Sequence, residues 1–283
     1  MKTAMFVSIG IFRNAVRRGL GGGSGLGAVF LIGANTLRET LRQKLVLIVA
    51  LVALGLVAAS KYLLSLDLGH EKIKFVFDFA SGALGFFGSI MAVAATCRTF
   101  HDEFENRTII TVFSKPVGAF RFAAGKIAGI CFALGIFAFA TAAAACAMLA
   151  LTAAGAGEGA PRVNYAGVFA FALAAWAKLC AVAAVSGFIC SASTSFLFSA
   201  VASFLALAVS AAGEITFRLG GSPDSFAVAA SWIFPDFRVF APAEAFAFAP
   251  VEALKLLAMC AYGAVYTLAA SAAGAVFLSK REF

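Results

Sequence analysis

Apolar residues run along this chain in long unbroken blocks, not in the alternation of a strand or the narrow stripe of a surface helix. Six blocks suffice to cross a bilayer: residues 45–64, 79–96, 122–151, 166–190, 196–212 and 251–278. A helical crossing needs about 20 residues. The pattern therefore predicts an all-α polytopic membrane protein of about six transmembrane helices. The third block is longer than a bilayer needs, so its helix tilts or protrudes.

The segments between blocks carry the polar residues. Residues 1–20 hold Arg13, Arg17 and Arg18 among Phe6, Ile9 and Phe12. This reads as a basic helix on an anionic leaflet. No small-residue cleavage motif follows, so a cleaved signal peptide is not expected. Gly21 to Gly25 reads as a flexible linker, and it fails the G-x-G-x-x-G spacing of a dinucleotide site. Residues 1–30 are thus a basic extension with a Gly-rich linker, ahead of a transmembrane domain over residues 31–283. Residues 34–44 read ANTLRETLRQK. Leu37 and Leu41 share a face while Arg38, Glu39, Arg42 and Lys44 occupy the rest, which predicts an interfacial helix leading into span one. Lys61, near the outer end of that span, can snorkel.

In span two, Gly82, Gly85 and Gly88 recur every third residue and suit close helix packing. Residues 100–116 form the most polar long insert of the first two thirds of the chain, and residues 191–195 a tight polar turn. Residues 214–250 are broken by Pro223, Pro235, Pro242 and Pro250, and their apolar runs are too short to cross. Re-entrant or interfacial helices between spans five and six fit them.

Composition agrees. Of 283 residues, 62% are hydrophobic and 13% charged, against about 25% charged in soluble domains. Mean hydropathy is +0.97. The net charge of +8 could suggest nucleic acid, but its placement argues for membrane orientation instead. With the N-terminus, residues 100–116 and the C-terminus all inside, 14 of the 22 Lys and Arg fall on the cytoplasmic side. That asymmetry predicts both termini cytoplasmic. The six cysteines sit in apolar runs without C-x-x-C spacing and read as small buried hydrophobes. His70 and His101 are far apart and lack clustered partners, so no metal site is expected.

The chain has no P-loop. Gly125-Lys126 is followed by Ile127, and Phe120 stands where the first glycine belongs, so phosphates would find no backbone cradle. No Ser/His/Asp set or paired intramembrane carboxylates suggest an enzyme. Charges inside spans call for a functional explanation. Lys178 lies within span four and either snorkels, pairs or contacts substrate. Glu252 and Lys255, three apart, can pair with each other. In the polar insert, Phe100 and Phe104 lie four apart among Asp102, Glu103, Glu105 and Arg107. On the residues alone this is either a docking helix or a solvated loop with incidental aromatics.

Three stretches together resemble the ABC-2 family of ABC-transporter permeases: ANTLRETLRQK before span one, EFENRTIITVFSKPVGAFRFAAGK over residues 103–126, and the pair IFPDFRVF (residues 233–240) and FLSKREF (residues 277–283). The resemblance runs from about residue 31 onward, and the middle stretch is its most specific part. It implies six spans, an amphipathic helix before the first, and re-entrant helices between the last two. It implies a bacterial inner-membrane location and a homodimer resting on separate cytoplasmic ATPases, which would hold the ATP and magnesium. It assigns ATPase docking to the loop after span two, which here means Phe100, Asp102, Glu103, Phe104, Glu105, Arg107, Thr108, Lys115 and Pro116. The expected function is the permease subunit of an ATP-driven exporter, binding no cofactor itself. The alternative is a membrane anchor that recruits a cytoplasmic partner and moves nothing. Nothing in the residues selects a substrate.

Overall fold

The structure, a computed structural model, describes residues 25–63, 72–105, 119–154, 163–193, 195–218 and 234–280. Among the described residues seven α-helices follow one another: α1 (Gly25–Arg42), α2 (Lys44–Leu63), α3 (Lys72–Glu105), α4 (Ala119–Ala153), α5 (Tyr165–Ala192), α6 (Phe196–Arg218) and α7 (Ala253–Lys280). A 3-10 helix, Phe237–Ala247, lies between the last two. No strand occurs among the described residues. Five helices, α3 to α7, are each long and apolar enough to cross a bilayer. The pair α1 and α2, bent by 65°, makes a sixth when taken as one broken span. The chain is an all-α, multi-pass membrane protein.

Helix α5 lies at the centre. In its most apolar stretch 67% of the residues are buried within the chain, against 22% in α6 and 17% in α7. Its sequence explains the difference. Runs of Ala, Gly and Ser let neighbours approach closely, which is how helices associate where lipid removes the hydrophobic drive. A Cβ added to Gly263 of α7 would stand 2.9 Å from Cβ of Ala177, and one added to Gly88 of α3 would stand 2.7 Å from Leu179. Helices α6 and α7 instead turn large apolar side chains outward, among them Leu197, Leu205, Leu257 and Leu268.

Each hydropathy block falls on one helix, α2 to α7, but α3 is longer than its block at both ends. Residues 72–78 and 97–105, outside the predicted span, belong to the helix. The apolar block marks where lipid ends, whereas helix backbone satisfies itself and continues past the bilayer.

Helix α1 departs from the expectation of a helix resting at the interface from residue 34. It begins at Gly25, inside the segment read as linker and across the boundary placed at residue 30. It packs along α4, with Val29, Ile32, Gly33, Thr36 and Leu37 at the contact. The contact is made by glycine: a Cβ on Gly129 would stand 2.4 Å from the Gly33 carbonyl oxygen, and one on Gly125 would stand 2.9 Å from Ile32. Gly125 and Gly129 are a small-xxx-small pair on α4 that admits a neighbouring backbone.

Between α6 and α7 the described residues hold one 3-10 helix where re-entrant or interfacial helices were expected. Pro242 lies inside it. Asp236 caps its start, accepting from the Arg238 amide at 3.0 Å, and the Tyr262 hydroxyl accepts from the Asp236 amide at 2.8 Å. At its other end Asn164 donates from its amide to the Ala247 carbonyl at 2.9 Å and from Nδ2 to the Ala249 carbonyl at 3.2 Å. These bonds satisfy irregular backbone buried among helices. Phe240, Phe246 and Met259 seal it against Ala174 and Ala177.

Candidate coupling site

Three elements meet at one end of the bundle: the elbow between α1 and α2, the last turns of α3, and the first turns of α4. The hub is Thr99. Gln43, the single non-helical residue at the elbow, donates from Nε2 to Thr99 Oγ1 at 3.1 Å. Lys126 of α4 donates from Nζ to the Thr99 carbonyl at 2.5 Å. Thr99 is itself fully buried.

Lys126 is the unusual residue here. Its side chain has no exposed surface, yet it carries an ammonium. A buried charge is tolerated only when paired and hydrogen-bonded. Glu103 supplies the pair, with Oε1 at 2.8 Å from Nζ. The rings of Phe100 and Phe122 lie 5.4 and 5.5 Å from the same ammonium, within range of cation–π attraction. The charges of Glu39 and Asp102 also act on it. One cation thus ties α3 to α4 on either side of the segment that joins them. The sequence reading had placed Lys126 as a failed P-loop lysine and as the last residue of the stretch 103–126.

Beside this knot an open groove of about 770 Å³ is lined by Asn35, Arg38, Glu39 and Arg42 of α1, by Gln43 and Lys44, and by Arg98 and Asp102 of α3. The three interfacial-helix residues Arg38, Glu39 and Arg42 therefore share a wall with Asp102. Arg98 and Asp102 pair across one turn at 3.6 Å, both about half exposed.

The residues of the expected docking surface divide. Asp102 and Glu103 stand at this end, half-buried. Phe100 does not offer a free aromatic face as expected: it is 2% exposed, packed in the core with Ile127 and Phe122. Because α3 continues helical past the span, Phe100 is turned back onto α4 and α5. The side chains of Phe104 and Glu105, and all of Arg107, Thr108, Lys115 and Pro116, lie outside the described residues.

Lys178, the candidate for a translocation path, lies midway along α5. Of the three readings offered for it, the structure shows pairing. Its ammonium pairs with the carboxylate of Glu214 on α6 and sits 4.6 Å from the centre of the Phe237 ring. The side chains are 20% and 10% exposed. The sequence reading ended span five two residues before Glu214 and so missed the partner. Two opposite charges on consecutive apolar helices were the available signal. Glu252 and Lys255 do pair, at 2.8 Å, on the exposed surface. The cysteines are free. Cys97, Cys180 and Cys190 are buried and the other three partly so.

Comparison with models of known protein families gives no match to this chain, and comparison with curated proteins gives none either.

Proposed function

We propose that this chain is the membrane-spanning subunit of an ATP-driven transporter of the ABC-2 type, an exporter coupled to a separate cytoplasmic ATPase through the segment joining α3 and α4. The observation that carries the reading is the Lys126 knot. A docking segment can move spans only if its two ends are stiffly attached to them. Here the exit from α3 and the entrance to α4 are joined by a buried ion pair, and Gln43 joins the α1–α2 elbow to the same point. A push on residues 106–118 would then reach three helices at once. The adjoining groove, with charges of both signs from α1 and α3, offers a polar rim for a docking helix.

In this scheme two copies stand side by side in the bacterial inner membrane with both termini inside. ATP and magnesium act on the partner ATPase, and closure of the ATPases tilts the spans. The resemblance of residues 103–126 to the permease family points the same way. The test is reconstitution of the chain with an ABC ATPase in liposomes. ATP-dependent export that is lost in Phe104→Ala and Glu105→Arg, while both variants insert normally, supports the reading. A complex that holds the ATPase but moves no cargo would leave the chain an anchor.

A further inference from the structure

The groove beside the Lys126 knot is more basic than its acidic members can balance. Its lining holds Arg38, Arg42, Lys44 and Arg98 against Glu39 and Asp102: four cations and two carboxylates. Asp102 pairs with Arg98 at 3.6 Å, and the charge of Glu39 also acts on the buried Lys126. Arg38, Arg42 and Lys44 enter no ion pair among the described residues, and all three are exposed. Arg38 and Arg42 stand one turn apart on α1, where like charges repel. An anion between them would remove that repulsion.

Directly after Lys44 the surface turns apolar. Ile48, Leu51 and Val52 follow Lys44 at four, seven and eight residues, the spacing of one helix face. They are 60%, 69% and 45% exposed. Lys44 thus stands at the head of an apolar stripe about 12 Å long. The 65° bend at the elbow brings the bases of α1 beside it. A basic groove continuous with an exposed apolar stripe has the outline of a lipid, with its charged head and its hydrocarbon chain.

We infer that this groove binds the headgroup of an anionic phospholipid, with Arg38, Arg42 and Lys44 on its phosphate and an acyl chain along Ile48, Leu51 and Val52. Guanidinium forks match phosphate oxygens in paired hydrogen bonds, and lysine adds a point charge. Basic pockets between helices at the membrane surface hold lipid heads in this way. A volume of about 770 Å³ is ample for a glycerophosphate head. The Arg98–Asp102 pair lies on the α3 side, as the rim that a docking helix would meet. The inference does not rest on the coupling scheme, because lipid binding needs no ATPase.

The test uses the whole chain alone, purified in a neutral maltoside detergent, with native mass spectrometry reading saturable binding of phosphatidylglycerol against phosphatidylcholine of identical chains. Phosphatidylglycerol is expected to bind more tightly. The double variant Arg42→Gln, Lys44→Gln should weaken it about tenfold or more and leave phosphatidylcholine unchanged. Arg121→Gln removes an exposed base outside the groove lining and should change neither. Leu51→Gln, on the apolar stripe, should also weaken phosphatidylglycerol. Inorganic phosphate shares the head chemistry without the chain and should not displace the lipid. Equal retention of the two lipids, or equal losses in Arg121→Gln and the double variant, would overturn the site. Displacement by inorganic phosphate would overturn a lipid as its occupant.

Discussion

The Nζ of Lys126 on α4 lies 2.8 Å from Oε1 of Glu103 on α3, with no part of the lysine side chain exposed. Removing one member of a buried pair leaves the other charge uncompensated, and the cost is typically about 3–5 kcal/mol. Lys126→Met should therefore lower the denaturation midpoint of the purified chain markedly. The double variant Lys126→Met, Glu103→Leu should recover most of the loss, since replacing both members by apolar groups is often near neutral. Thermal unfolding in detergent reads both. A single variant as stable as the parent would show that the pair holds nothing.

The seam between α1 and α4 gives a steric prediction. A Cβ at Gly129 would come within 2.4 Å of the Gly33 carbonyl oxygen and 2.8 Å of Thr36 Cβ. Gly129→Val should force the helices apart and cost about 1–3 kcal/mol, the usual range for overpacking. Gly55→Ala on α2, where nothing lies within 4 Å, should leave stability unchanged or slightly raised. Equal effects at the two positions would remove the basis for docking α1 on α4.

Lys178 and Glu214 should behave as a unit. A double-mutant cycle with Lys178→Met and Glu214→Gln should show a coupling energy above about 1 kcal/mol, within the range for directly paired groups. Additive losses would mean that the contact contributes nothing to α5–α6 association.

The all-α, multi-pass class was legible in the sequence, because apolar length responds directly to the bilayer. What stayed hidden depended on three-dimensional partners. The polar end of α3 reads as either a docking helix or a solvated loop until Thr99 and Glu103 are seen facing Lys126. Phe100 reads as an exposed anchor until the continuing helix turns it inward. Gly125 and Gly129 carry a recognisable spacing, but only contact with Gly33 shows that α1 fills it. Glu214 lay just beyond the predicted end of span five, so the partner of Lys178 was assigned to the proline-broken segment that follows. Short helices were expected in this proline-broken stretch but not the 3-10 form, although the buried Phe237, Phe240, Ala243 and Phe246 recur every third residue.

Sidedness underlies every functional step. With all six native cysteines replaced by alanine, a single cysteine at position 108 (Thr108→Cys) should react with a membrane-impermeant maleimide in inside-out vesicles and stay unlabelled in intact cells. That result places the α3–α4 junction where a cytoplasmic ATPase can reach it. Labelling in intact cells, with none in inverted vesicles, would put the junction outside and contradict the account.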